Sequence, residues 1–329
     1  MKKMLKLALI AAAAATAFGA SAQEFPAKDK TITIVVPYAA GGPTDRVARD
    51  LAEAIRKPLG GISVVVDNSA GAGSTIGSAK VARAAPDGYT LLLNHVSMAT
   101  MPTMYRKLAF NVANDFEYLG IINDVPMTLI ARPSMPANNY KELAGWLQQN
   151  KGKINLGNAG QGSASHLCGL IFQSAVQVEM TAVPYKGTAP AITDLIGGQI
   201  DLLCDQTTNT TSQIEGKKVK AYAVTTSKRL TTPALKDLPT LAESGVKDFN
   251  VTIWHGLYAP KGTPADVTKK INEALKVALK DPEFIKKQEG LGAVVATDKR
   301  VESAEHKKFV LAETEKFGAA IKAAGSYAD

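Results

Sequence analysis

Between Thr31 and Ile55 the chain reads TITIVVPYAAGGPTDRVARDLAEAI, and few architectures accommodate what this stretch demands. Ile32, Ile34, Val35 and Val36 form an unbroken β-branched run, the pattern of a strand covered on both faces, and Pro37 ends it. Val47, Leu51 and Ile55, flanked by Ala48 and Ala52, then recur at helical spacing with charges on the opposite face. The join is bare backbone, Ala39 to Gly42, followed by Pro43 at a first helical position and Asp45 where an acid favours a helix start. Such a join aims unpaired N–H groups and a positive dipole end at one point, and so makes a receptive place for a small anion.

The pattern recurs. A strand at Lys153 to Leu156, a bare loop from Gly157 to Gly162, and a helix carrying Leu167, Leu170, Ile171 and Ala175 on one face repeat it, with Ser163 placed as the N-cap. Each copy opens a longer alternation. The first continues with a strand at Ile62 to Val66, the NSAGAGSTIG turn (Asn68 to Gly77), a helix through Ala84 and a strand at Tyr89 to Asn94. The second continues with a strand at Met180 to Pro184, a helix from about Thr188 to Ile196 and a strand at Ile200 to Asp205. Strand and helix alternating in this way build parallel sheets with covering helices. Two such lobes present their bare turns to each other across a crevice, where open α/β sheets bind ligands. Amphipathic helices at Ala265 to Leu279 and near Val301 to Ala324 complete the chain. If they pack on the first lobe, the chain crosses between lobes twice.

The N-terminus reads as a leader: Met1 to Lys6 is basic, Leu7 to Gly19 is apolar and alanine-rich, and Ala20-Ser21-Ala22 is a small-residue cleavage pattern. The apolar run is shorter than the ~20 residues needed to span a bilayer, which argues for cleavage over anchoring. Losing Lys2, Lys3 and Lys6 with it lowers the formal charge from +8 to +5, a mild excess without basic blocks, so no nucleic-acid partner is expected. Gly71, Gly73 and Gly77 do not match a dinucleotide fingerprint in spacing or position, and no cofactor is expected. His95, His166, His255 and His306 show no metal-binding spacing. Ser165, His166 and Asp205 offer the residue types of a hydrolase triad, but adjacent helical residues diverge by about 100° and no G-x-S-x-G elbow is present, so an exported hydrolase is a remote alternative. Cys168 and Cys204, the only cysteines, are expected to bridge in an oxidising compartment; two separate buried thiols are the alternative.

Taken together, ITIVVPYAAGGPTDRVARDLA, VVVDNSAGAGSTIGSAKVARAAPDGYTLLL, GNAGQGSASHL, VPYKGTAPAITDLIGGQIDLLCDQ, DLPTLAESG and GLYAPKGTP resemble, in order and over essentially the whole mature chain, the extracytoplasmic receptors of tripartite tricarboxylate transporters, the Bug receptors. The chain departs from the family at Ser69-Ala70, where a proline more often precedes the glycine-rich turn. The resemblance implies an α/β, two-lobed periplasmic binding protein of type II-like architecture. It would be a monomer that closes on a small organic carboxylate, di-, tri- or aromatic in kind by family habit, and delivers it to two membrane subunits. The expected division is a leader over 1–22, lobe 1 over 23–125 and 227–329, and lobe 2 over 126–226. The positions matching the family's first loop are Tyr38, Ala39, Ala40, Gly42, Thr44 and Asp45; those matching the second are Gly160, Gly162, Ser163, Ser165 and His166; Ser97 and Asp205 match cleft-lining positions. Each has a plainer reading as turn glycine, helix cap or structural hydrogen-bond partner. Asp205 cannot hold a carboxylate directly, because like charges repel, unless water, an amine or a protonated ligand intervenes. Tyr185 and Trp254 are further candidates for the cavity wall. No arginine falls in either loop, which argues against a guanidinium clamp. A ligand sensor read by a membrane signalling partner would need the same cleft and remains the alternative to a transport receptor.

Overall fold

The computed structural model describes residues 25–325 and 327–328; the expected leader lies outside them. Its first half begins with β1 (Thr31–Val36), α1 (Pro43–Arg56), β2 (Ser63–Asn68), α2 (Thr75–Ala82) and β3 (Thr90–His95). β1 pairs in parallel with both β2 and β3. Its Ile32, Ile34, Val35 and Val36 are fully buried, and α1 turns Val47, Leu51 and Ile55 onto the sheet, as the apolar periods require.

After α3 (Ser97–Met104), β4 (Phe116–Ala131) and α4 (Tyr140–Gln149), the same unit returns as β5 (Asn155–Asn158), α5 (Ala164–Val176), β6 (Thr181–Pro184), α6 (Thr188–Ile196) and β7 (Leu202–Gln206). β5 pairs in parallel with both β6 and β7, so the strand order of the first lobe is reproduced. The chain continues through α7 (Thr207–Glu215), β8 (Lys220–Val224), β9 (Thr252–Pro260), α8 (Ala265–Ala278), α9 (Pro282–Gly290), β10 (Val294–Val295) and α10 (Ser303–Ala324).

β4 joins the lobes. From Phe116 to Pro126 it runs antiparallel to β9, and from Met127 to Ala131 antiparallel to β7, with β8 also pairing with this outer half. Pro126 sits inside this strand opposite Thr252, where β9 begins and the partner changes. A residue without an N–H is tolerated where the ladder is being handed over. The sequence also places the return to lobe 1 near residue 227. The segment beyond it stays with the second sheet: Thr240 bridges Val224, Phe249 packs edge-on to Phe172 of α5, and Val251 N–H donates to the Thr225 carbonyl. β9 then makes the return.

Three helices are absent from the sequence reading. α3 contains Pro102 and buries most of its surface, and α7 is built from Thr-Thr-Asn-Thr-Thr, so neither displays an amphipathic period or strong helical preference. α9 is a two-turn element started by Pro282 and capped by the Asp281 carboxylate, which accepts from Glu283 and Phe284 N–H.

Candidate functional site

The first bare loop stands on a buried ring network. Tyr38 is stacked on His95 with centroids 4.7 Å apart, and its hydroxyl is 2.5 Å from Ser97 Oγ, itself 3.1 Å from His95 Nδ1. Behind it, His255 places Nε2 3.3 Å from Thr44 Oγ1 and Nδ1 2.9 Å from Asn123 Oδ1. Burial drives the pKa of His95 well below the usual 6.5 and that of His255 to about 3, so both rings are neutral and bring no positive charge to the loop.

Asp45 holds the loop's shape. Its Oδ2 accepts from Gly41 N–H and Arg49 Nε, both at 2.9 Å, and its Oδ1 from Asn68 Nδ2 at 3.0 Å. Burial pushes its pKa up, but the hydrogen bonds from Arg49, Gly41 and Asn68 outweigh this and hold it below the ordinary value. Asp45 therefore acts on the loop and not on the cavity. Gly42, the N-cap of α1, supplies no side-chain cap, which leaves the first-turn amides of that helix open toward the crevice.

The second loop uses more of its own amides than the bare sequence suggests. Ala159 N–H donates to Ser165 Oγ (2.8 Å), Gly160 N–H to Asn158 Oδ1 (2.9 Å) and Gly162 N–H to His166 Nδ1 (3.3 Å). Ser163 caps α5 by accepting from His166 N–H. Gly160, Gly162, Ser163 and His166 thus shape the loop, while Ser165 reaches the cavity and the first turn of α5 faces it. His166, with a pKa lowered to about 4 by burial, is also neutral.

The lobes meet directly at this place. Ala39 N–H donates to the Lys186 carbonyl at 2.9 Å, Thr100 Oγ1 to the Gly162 carbonyl at 2.5 Å, and the Tyr105 hydroxyl lies 2.8 Å from Ala72 O and 3.0 Å from Gln161 O. Between them is a cavity of about 10 Å³, roughly the room of one water. Tyr38, Gly42 and Thr44 line it from the first lobe with His95; Ser165, Thr188, Asp205 and Gln206 line it from the second. Those positions are the starts of four helices: α1, α5, α6, whose first residue is Thr188, and α7, whose N-cap is Gln206. Among the described residues no lysine or arginine lines the cavity.

Asp205 is the one acid on the wall. It is wholly buried; Oδ2 accepts from Asn209 Nδ2 at 2.6 Å, whereas Oδ1 has no partner among the described residues. Burial raises its pKa to about 6, against hydrogen bonds from Asn209, the Gln206 amide and Thr188. The Gln206 Oε1 beside it is likewise buried without a partner.

Other sequence candidates lie elsewhere. Ala40 is exposed, and Ala39 is at the contact between the lobes. Ser97 holds Tyr38 from beneath. Tyr185 donates its hydroxyl to Asp194 and lines an outer groove with Tyr105, Gln161 and Lys186. Trp254 is core, its Nε1 directed to Glu313 of α10 and its ring edge-on to Phe309, so it does not reach the cavity. Thr188, Gln206 and His95 on the wall are not among the site residues expected from the sequence; Thr188 starts the helix that follows β6 and Gln206 ends β7, where the strand-to-helix rule applied to loops one and two points as well. Cys168 of α5 and Cys204 of β7 are joined by a disulfide with Cα atoms 6.1 Å apart. Among the described residues no group of three or more His, Cys, Asp or Glu is placed to hold a metal, and no helix is long and apolar enough to cross a membrane.

A duplicated βαβαβ unit closing over helix starts is a geometry shared with known binding proteins. The family model described as "Tripartite tricarboxylate transporter family receptor" matches residues 47–326. The chain belongs to this receptor family. Among solved structures, this receptor is similar to the periplasmic binding protein BugD, with 50% identity and a TM-score of 0.87 over 91% of this chain and 99% of that one. It is also similar to MatC from Rhodopseudomonas palustris with bound malate (34% identity, TM-score 0.85, covering 90% and 100%), and to a second R. palustris protein with adipate (31%, 0.85, 92% and 99%). The receptor has the two-lobed periplasmic-binding-protein fold and is a solute-binding protein, not an enzyme.

Proposed function

We propose that this receptor works in the periplasm, captures a small organic carboxylate between its lobes and passes it to the two membrane subunits of a tripartite tricarboxylate-type transporter. The observation that carries the reading is a cavity faced by four helix starts and lined by hydroxyls of Tyr38, Thr44, Ser165 and Thr188, with no cation on its wall among the described residues. Oriented amides and hydroxyls stabilise an anion without a buried positive charge. The ligands named for MatC and the second R. palustris protein are both small carboxylates, which supports the class.

On this reading the carboxylate docks on the first turns of α1 and α5, with Gly42, Thr44 and Ser165 in contact and Tyr38, Ser97, Asp45, Gly160, Gly162, Ser163 and His166 holding the two loops in place. The cavity in the closed arrangement is too small for a ligand of several heavy atoms, so entry requires the lobes to part about β4 and β9, near 125–126 and 251–252. Contacts remade on closing would report loading to a monomer's membrane partners.

The test is the melting temperature of ligand-free mature protein against mono- and dicarboxylates, aromatic acids, sugars and phosphate. A ligand at 100 times its dissociation constant adds about 2.7 kcal/mol of stability. A shift confined to carboxylates is the expected result; a shift with sugars or phosphate alone would overturn the proposal.

A further inference from the structure

Building on the receptor reading, we propose that Asp205, assisted by Gln206, forms a subsite that reads a hydrogen-bond donor on the ligand, so that the receptor selects carboxylates bearing a hydroxyl or ammonium group over the unsubstituted acids of equal length. The cavity has two chemically opposite walls. The first turns of α1 and α5 and the hydroxyls of Thr44 and Ser165 offer donors. The end of β7 offers acceptors: Asp205 and Gln206 line the cavity, and their Oδ1 and Oε1 are fully enclosed without a partner among the described residues. Leaving a buried acceptor without a donor is costly, so a pair of them on a ligand cavity marks where a donor arrives.

Asn209, the Gln206 amide and Thr188 donate to the carboxyl group, yet Oδ1 has no partner among the described residues. The Asn209 amide nitrogen is already 2.6 Å from Asp205 Oδ2 and 3.4 Å from Thr188 Oγ1. The Thr128 hydroxyl is engaged with Thr210 at 2.8 Å and with the Asp205 backbone carbonyl. Among the described residues no lysine or arginine borders the cavity, and His95 on its wall is neutral. Oδ1 is thus left for a donor that enters the cavity, a ligand group taking the place of any water there. A methylene there leaves both oxygens unpaired, and a second carboxylate adds a like charge.

Calorimetric titration of the ligand-stripped, disulfide-intact protein with succinate, malate and aspartate, and with glutarate, 2-hydroxyglutarate and glutamate, tests this. In at least one series a substituted acid should bind about tenfold or more tightly than its plain parent, since sites built around a ligand polar group reject the analogue lacking it. The ratio between hydroxy and amino acid then distinguishes the two donors. In Asp205→Asn, whose carboxamide can keep the Asn209 bond while turning its NH₂ to the cavity, the ratio of substituted-acid to plain-acid affinity should fall toward one, with a cooperative melt showing the fold intact. Plain acids binding as tightly as substituted ones, or an unchanged ratio in Asp205→Asn, would overturn the subsite while leaving the receptor reading standing. Binding of no carboxylate at all would overturn both.

Discussion

Replacing Asp205 by Asn should stabilise the empty receptor in a pH-dependent way. The carboxyl's folded pKa is about 6 against 3.8 in the unfolded chain, because burial penalises its charged form more than its three hydrogen-bond donors relieve it. The native state therefore holds this proton more tightly than the unfolded state. The group's contribution is most favourable below the unfolded pKa and is lost as pH rises through the folded one. The resulting penalty is about 3 kcal/mol at about pH 7.5 and about 1.6 kcal/mol at about pH 5. Asn carries no such charge, although its own unpaired amide costs about 1 kcal/mol at either pH. The stability difference between Asp205→Asn and wild type should thus grow by about 1.4 kcal/mol from about pH 5 to about pH 7.5. Urea unfolding of both proteins at the two pH values measures it, and contributions from other titrating groups cancel in the comparison. Parallel pH profiles for the two proteins would refute the claim that a buried, half-partnered carboxyl faces the cavity.

Further outcomes follow from the same geometry. Opening the Cys168–Cys204 bridge by Cys-to-Ser replacement should cost about 4 kcal/mol in the chain-entropy treatment for a separation of 36 residues, read as a lower urea midpoint; an unchanged midpoint would contradict it. At Gly160, with φ of +105°, an added Cβ would lie 2.9 Å from Gly73 N across the lobe contact, so Gly160→Ala should hinder closure as well as strain its own loop. Ligand affinity should fall by more than the roughly 1 kcal/mol lost from the empty protein, and solution scattering should report a more open form. His166, His255 and His306 have pKa values lowered to about 4, 3 and 3 by burial. Their stability contribution is complete above the unfolded value near 6.5 and is lost as pH falls, at about 1.4 kcal/mol per pH unit for each. The urea midpoint should therefore drop between about pH 7 and pH 5.5, and His166→Gln should shallow the slope; a flat profile would show that these rings titrate freely.

The duplicated unit was readable because each copy pairs a β-branched run with a 3.6-residue apolar period, and the pairing survives without tertiary context. Val47, Leu51 and Ile55 fall on the buried face for that reason. The partner switch of β4 at Pro126 was not readable, since a proline looks the same whether it ends a strand or marks a change of neighbour. Nor was the packing of Phe249 on Phe172, which depends on a contact 77 positions away in the chain. At the site, bare glycines identified where two loops come together but not which amides remain open. Asn158, Ser165 and His166 fill the amides of Gly160, Ala159 and Gly162, and only coordinates reveal such side-chain returns. Thr188 and Gln206 lie within reach of the rule that ligands gather beyond the ends of parallel strands, since Thr188 starts the helix after β6 and Gln206 ends β7 in the second lobe.

The four helix starts divide the cavity into a part that resists change and a part that invites it. On the proposed reading, what faces an anion there is largely main chain, common to any sequence that keeps these turns, so a single substitution has little purchase on it. What would face the rest of a ligand is a handful of side chains, Thr188, Asp205 and Gln206 foremost. A lineage built on this plan can exchange one acid for another by rewriting two or three positions, and it never has to relearn how to hold an acid.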